Sequence, residues 1–154
     1  MILSRSFPLR ALLIALLPLV LSAACDKLPR NGALDGQWQL VRHNDADVTA
    51  QRIYWAVQLD LIQLRSPRVA PTTSVPYSGG VILRFVRRAD SLFVETGFLM
   101  DRDHGRDLHI GPRHPADLSA LGVDTLPAHF AIRHLSSSRL VLPRGNQTLE
   151  FRKW

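Results

Sequence analysis

The residues best suited to chemistry lie close together between positions 101 and 114. Aspartates, histidines and arginines alternate there: Asp101, Arg102, Asp103, His104, Arg106, Asp107, His109, Arg113 and His114. Carboxylates and imidazoles can hold a divalent metal ion. The interleaved guanidinium groups would repel such an ion and can pair with the aspartates themselves. The segment therefore indicates a solvated, salt-bridged loop rather than a metal site.

The sequence has none of the common motifs of catalysis. A Gly-x-Ser-x-Gly nucleophile elbow, a phosphate-binding loop and a His-Glu-x-x-His zinc motif are all missing from its 154 residues. Ser78, Gly79 and Gly80 indicate a flexible entry to a strand rather than a phosphate cradle. We therefore expect no catalytic residues, no bound metal and no cofactor, and a protein that is not an enzyme.

Cys25 is the only cysteine, so the chain cannot form an internal disulfide. Before it come Arg5 and Arg10, an apolar run over residues 11–21 and the small residues 22–24. This order is typical of a cleaved export signal over residues 1–24. The alternative is a retained transmembrane helix. The uncharged stretch is shorter than the roughly 20 residues that span a bilayer, and Pro18 interrupts it, so we expect a cleaved signal instead.

Residues 21–25, Leu-Ser-Ala-Ala-Cys, resemble the lipobox of bacterial lipoproteins. The resemblance implies that diacylglycerol alkylates Cys25 and that the signal is cut just before it. Two or more acyl chains would anchor the protein stably. Residues 25–34 then form the lipidated tether, with Pro29, Asn31 and Gly32 typical of an irregular segment. We expect a location in the cell envelope, on the periplasmic side of the outer membrane.

The charge pattern argues against a nucleic-acid partner. Of 19 Lys and Arg residues, two lie in the signal, which leaves 17 against 13 acidic residues and a mature charge of +4. The basic residues are scattered, and no basic run is longer than the two residues of Arg87-Arg88. The remaining length suits one domain over residues 35–154.

Alternating apolar and polar residues predict an all-β domain with one short helix. Residues 54–64 show the longest alternation, with Trp55, Val57, Leu59 and Leu61 on one face. A helix is expected at residues 115–121, between Pro115 and Gly122. Hairpin turns are expected at residues 89–91, 136–138 and 144–147. The other strands are expected at residues 37–42, 81–87, 92–98, 129–135, 139–142 and 148–153, with a weaker eighth at 107–110.

Eight strands are enough to close a small antiparallel up-and-down barrel. Gly36-Gln37-Trp38 resembles the Gly-x-Trp signature of lipocalins, and segments such as Ser138 to Leu142 and Leu149 to Lys153 are similar to a family of small lipocalin-like lipoproteins of bacteria. The resemblance implies a lipid-tethered barrel in which Gly36 and Trp38 close the floor beneath a basic residue of the last strand. Arg152 or Lys153 would be that residue, and Arg152 is the one we assign to the signature.

Two functions stay open at this point. The barrel either holds a small hydrophobic molecule, such as a lipid or a haem-like compound, or has a solid core and docks an envelope protein through its loops over residues 66–80 and 101–115. In the first case the ligand would contact the inward faces of the strands. The predicted ligand contacts are Trp55, Val57, Leu59, Leu83, Phe85, Val94, Phe130 and Ile132.

Overall fold

A computed structural model describes residues 30–73, 77–114 and 116–154. The predicted signal and Cys25 lie outside these residues. The described chain forms strands β1 (Gly36–His43), β2 (Ala46–Asp47), β3 (Tyr54–Gln58), β4 (Leu61–Arg65), β5 (Val81–Arg88), β6 (Ser91–Asp101), β7 (Arg106–Ile110), β8 (Ala128–Ala131), β9 (His134–Leu135), β10 (Arg139–Arg144) and β11 (Gln147–Lys153).

The strands form one antiparallel sheet in the order β7-β6-β5-β4-β3-β1-β11-β10-β9. Strand β8 pairs with the first half of β6, and β9, two residues further on, pairs with β10. The backbone N–H of Arg133 also donates to Val141 O at 3.0 Å. This segment links β6 to β10 and closes the sheet, as the all-β, lipocalin-like prediction required. Closure leaves few sheet edges exposed.

The predicted strand over residues 54–64 is in fact a hairpin of β3 and β4. Gln58 pairs with Leu61, and Leu59 between them has a φ of 58°. Leu59 continues the apolar alternation, so Asp60 alone did not mark a turn within residues 54–64. The alternation resumes in β4 with a shifted phase: Ile62 and Leu64 point inward in place of Leu59 and Leu61.

Three further predictions need correction. The helix at residues 115–121 is reduced to a 3-10 turn at Ser119–Leu121, because Asp117 instead exchanges two backbone hydrogen bonds of 2.9 Å with Thr72. So short a segment gains little from helix formation on its own. The strand predicted at residues 129–135 is divided into β8 and β9, and the predicted strand at 107–110 pairs with the far half of β6 rather than completing the barrel wall.

The two ends of the barrel are distinct. The turns at residues 59–60, 89–90 and 136–138 lie at one end, here called the tether end, since the described chain begins there at Arg30. Asn31 donates a side-chain hydrogen bond to Leu59 O at 2.7 Å. The described parts of the longer loops, including residues 66–73, 77–80 and 116–127, lie at the other end, here called the mouth. The described residues contain no helix long and apolar enough to cross a membrane.

Candidate functional site

The tether end of the barrel is sealed by Trp38 and Lys153. Trp38 is fully buried, and its indole N–H donates to Leu34 O at 2.7 Å. The ammonium of Lys153 lies 4.1 Å from the centroid of the Trp38 ring and donates to the carbonyl oxygens of Ala33 (2.9 Å) and Asp35. Burial lowers the pKa of Lys153, and nearby Asp35 partly opposes that effect.

Lys153, and not Arg152, is therefore the basic partner of the predicted signature. Arg152 is exposed and donates to Gln39 Oε1 at 2.9 Å on the outer side of the sheet. The alternation of β11 contains the signal that decides between them: Leu149 and Phe151 point inward, so Lys153 continues the same face. Gly36, with a φ of 116°, leaves room for the lysine, whose Cε and Nζ would lie only 3.0 Å from an added Cβ.

Leu34 shows that the folded domain starts earlier than the predicted boundary at residue 35. This residue ends the 3-10 turn Gly32–Leu34 and is fully buried in the core. Its carbonyl accepts the Trp38 hydrogen bond described above. The last residues of the predicted tether thus belong to the barrel floor.

Six of the eight predicted ligand contacts are buried in a single hydrophobic core and contact one another there. The Trp55 ring packs at 5.8 Å from the Phe130 ring and at 4.9 Å from the Phe151 ring. Its indole N–H donates to Leu121 O at 2.9 Å. The rings themselves thus occupy the centre of the barrel. The six residues are Trp55, Val57, Leu83, Phe85, Val94 and Phe130.

The other two predicted contacts lie elsewhere. Leu59 is 53% exposed at the tip of the β3–β4 hairpin, because the turn removes it from the inward face. Ile132 is partly buried and packs against the core from the short link between β8 and β9. The inward face predicted for Leu59 is therefore wrong.

A loop closes much of the mouth from above. Leu118, Leu121 and Val123 of the 111–127 segment are buried in the barrel core. Gly122, at a φ of 93°, lets this chain approach the Leu149 and Trp55 side chains, which would lie 3.1 Å and 3.4 Å from an added Cβ. Strand β10 holds the loop through Arg144, whose guanidinium pairs with Asp124 and donates to Thr125 Oγ1.

Beside this loop the mouth retains an open cleft of about 240 Å³. Its walls include the buried core residues Leu64, Val81 and Leu121. Tyr77 and Gln63 add a hydroxyl and an amide at the rim, and burial raises the pKa of the Tyr77 hydroxyl. We call this site the mouth cleft. Because the residues come from β4, β5 and two loops, no single sequence pattern brings them together.

The aspartate and histidine segment forms ion pairs. Asp101 is 4% exposed, and its carboxylate lies 2.9 Å from His104 Nδ1 and 3.5 Å from Arg106 Nε. The hydrogen bond from His104 is the main cause that lowers the pKa of Asp101. The salt-bridged interpretation is confirmed for this residue. In the part of the chain that the structure describes, no group of three or more His, Cys, Asp or Glu side chains could hold a metal ion.

The lipocalin-like domain family matches residues 19–154, most of the chain. The chain belongs to the lipocalin-like domain family. No curated protein matches the sequence.

Two solved structures are similar to this lipocalin-like domain. A lipocalin-like protein from Bacteroides uniformis is 14% identical, with a TM-score of 0.50 over 80% of this chain and 100% of its own. An uncharacterized protein from Bacteroides eggerthii is 13% identical, with a TM-score of 0.49 over 78% of this chain and 98% of its own. At this identity the first similarity supports the fold alone.

Proposed function

We propose that this lipocalin-like protein is a lipid-anchored component of the bacterial cell envelope that binds a small hydrophobic ligand at the mouth cleft. The acyl chains attach at Cys25, and the domain faces the periplasm from the outer membrane. The protein acts by binding and not by catalysis. The lipobox-like residues 21–25 support the anchor, and the family supports the barrel.

The mouth cleft is the observation that carries the proposal of binding. Side chains of the hydrophobic core, Leu64, Val81 and Leu121, line a cleft of about 240 Å³ that is open to solvent. An apolar group placed there would leave water and contact the core directly. The mouths of β-barrels are a common location for small-molecule sites.

The rim suggests the chemistry of the ligand. The Tyr77 hydroxyl is neutral at cellular pH, and burial raises its pKa further above the usual value of 10.0. A neutral hydroxyl both donates and accepts, and the Gln63 amide beside it can do the same. The cleft therefore fits a small apolar molecule with one polar end.

The centre of the barrel is a poorer candidate for the ligand. The packed rings of Trp55, Phe130 and Phe151 occupy it, and a ligand would have to displace them. This is why we place the ligand at the mouth instead of among the predicted inward residues.

A second function is favoured by the closure of both ends. Trp38 and Lys153 seal one end, and Leu118, Leu121 and Val123 fill much of the other. A barrel with a solid core would act through its exterior. The long loops at the mouth, residues 66–80 and 101–115, would then dock an envelope protein.

The anchor is tested by growth on labelled fatty acid. We expect label in the wild-type protein and none in Cys25→Ser, which should be left unprocessed or be released from the membrane. The lipoprotein proposal fails if Cys25→Ser is processed normally and recovered from membranes at the wild-type yield.

The ligand is tested by native mass spectrometry of the protein extracted from its own membrane. A carried molecule would add mass to the barrel. Ala70→Trp places a large ring in the mouth cleft from an exposed wall position, and should remove the added mass. Ala131→Trp, at an exposed position on β8, is the matched control and should keep it. A ligand-free wild-type mass would reject ligand binding and favour the docking function.

A further inference from the structure

The tether end has an exposed surface that combines apolar and cationic side chains. We define the tether face as Arg30, Leu59, Arg84, Val86 and Arg87, which line a shallow cleft of about 690 Å³. Leu59 and Val86 are 53% and 40% exposed. These two are among the few large apolar residues that the described chain exposes. An exposed apolar group ringed by cations is suited to an interface rather than to bulk water.

Leu59 is placed there at a cost to the fold. It occupies the tip of the β3–β4 turn with a φ of 58°, a conformation that favours glycine, asparagine and aspartate. A leucine at this position neither fits the backbone well nor contributes to the core. Strained residues that the packing does not require point to a role outside the fold.

The path of the chain fixes which end of the barrel meets the membrane. Arg87 donates to Asn31 O at 2.7 Å, and Asn31 in turn donates to Leu59 O at 2.7 Å. The first described residue, Arg30, therefore lies within the tether face. Only five peptide steps separate it from Cys25, a reach of at most about 18 Å. A lipid on Cys25 would keep this face close to the bilayer.

The charges of this surface match an anionic lipid layer. Three arginines line the cleft against the carboxylates of Asp60 and Glu95, and Arg84 pairs with Asp60 at 3.1 Å. Guanidinium groups bind phosphate through two parallel hydrogen bonds. Basic residues near an anionic leaflet are drawn to it over about a Debye length.

We infer that the tether face rests on the membrane, with Leu59 in the interfacial layer and the arginines on the phosphates of anionic lipids. This inference rests on the proposed lipid anchor at Cys25. The barrel then stands with its mouth away from the bilayer, where the mouth cleft and the long loops meet the periplasm.

The orientation is tested with the processed, lipidated protein in vesicles of phosphatidylethanolamine and phosphatidylglycerol. Acylation blocks Cys25, so a single added cysteine takes a fluorescent label alone. Ala89→Cys reports from the turn beside the tether face, and Asn146→Cys is the matched control on an exposed turn at the mouth. A nitroxide on the lipid headgroups should quench the Ala89→Cys label several-fold more than the control. Equal quenching, or stronger quenching at Asn146→Cys, would overturn the inference.

Variants of the tether face then test its chemistry. Leu59→Asn suits the left-handed backbone and removes the apolar group, and should lower the quenching of the Ala89→Cys label. Arg30→Gln with Arg87→Gln should lower it in the anionic vesicles and leave it unchanged in phosphatidylcholine. Arg68→Gln with Arg113→Gln, exposed arginines at the mouth, should have no effect. An effect of the mouth pair equal to that of the tether pair would refute the proposed headgroup contacts.

The mass of the N-terminal peptide separates the proposed lipid anchor at Cys25 from the inferred contact of the tether face with the membrane. Acyl chains on Cys25 without any difference between the labels would reject the tether face and leave the anchor standing. An unmodified Cys25 would reject the anchor and the inference together. If the asymmetry appears only when cell extract is added, a protein partner and not lipid covers this face, and the inference is overturned.

Discussion

The floor of the barrel allows a quantitative test of what holds the fold together. Trp38 is fully buried, donates to Leu34 O at 2.7 Å and lies beneath the Lys153 ammonium at 4.1 Å. Truncation to Ala removes the whole indole from the core and leaves a cavity. We expect Trp38→Ala to lower the free energy of unfolding by about 3–5 kcal/mol.

Two milder changes divide this effect into its parts. Trp38→Phe keeps an aromatic ring but removes the N–H, and so leaves the buried Leu34 carbonyl unpaired at a cost of about 1–3 kcal/mol. Lys153→Met keeps the aliphatic stem and removes the ammonium. A double-mutant cycle of Trp38→Ala with Lys153→Met should give a coupling free energy of about 0.5–2 kcal/mol.

The assay is urea unfolding of residues 27–154 followed by far-UV circular dichroism, because tryptophan fluorescence changes with the substitution itself. Trp154→Ala is the matched control: this tryptophan is 65% exposed and packs edge-on against Tyr54 at 5.3 Å. The Trp154→Ala substitution should lower the free energy of unfolding by less than about 1.5 kcal/mol. A cost for Trp38→Ala no larger than that of Trp154→Ala would refute the buried floor, and a coupling of zero with Lys153→Met would refute the cation–π contact.

Three further predictions concern packing, acid stability and autonomy of the domain. Gly97→Ala should lower the free energy of unfolding by about 1–3 kcal/mol in the same urea assay, because the new Cβ would lie 2.6 Å from Leu83 Cδ2; Gly111→Ala, with its nearest contact at 3.4 Å, should be close to neutral, and equal costs would contradict the packing. Since the pKa of Asp101 lies below its ordinary 3.8 in the folded protein, its ionised form stabilises the fold above that pH and the stability is lost as the pH falls through the lower folded value. Asp101→Asn should therefore destabilise the domain near neutral pH, and urea titrations should find this difference shrinking in acid; a constant difference would contradict the ion pair. Residues 27–154, made without lipid, should fold to a circular dichroism spectrum of β-sheet that reductant does not change, and a spectrum dominated by helix would be inconsistent with the fold.

Strand order was predictable where the sequence signals both the pattern and the turn. The turns at residues 89–90, 136–138 and 145–146 combine polar or glycine residues with alternating flanks, and all three form hairpins as expected. At residues 59–60 the apolar Leu59 continues the alternation across the turn, so β3 and β4 were predicted as one strand. Such a turn is held by its paired strands, and that tertiary pairing is not visible in a local pattern.

The candidate site shows the same division between local and non-local information. Lys153 could have been chosen over Arg152 from the alternation of β11 alone, because the inward face of Leu149 and Phe151 continues to it. The mouth cleft could not have been predicted in this way, because its wall depends on how Leu121 and the described residues of the loop after β4 pack against the ends of β4 and β5.

The closure of the barrel at both ends also limits which surfaces can bind a ligand or a partner. With Trp38 and Lys153 beneath the core and Leu118, Leu121 and Val123 above it, the middle of the barrel exchanges little with solvent. Binding energy must then come from surfaces at the two ends, and these differ in chemistry. One end has a cleft walled by core side chains beside a neutral hydroxyl, and the other exposes Leu59 among arginines. A single lipid on Cys25 would orient both at once, because it brings the cationic end to the bilayer and leaves the apolar cleft facing outward.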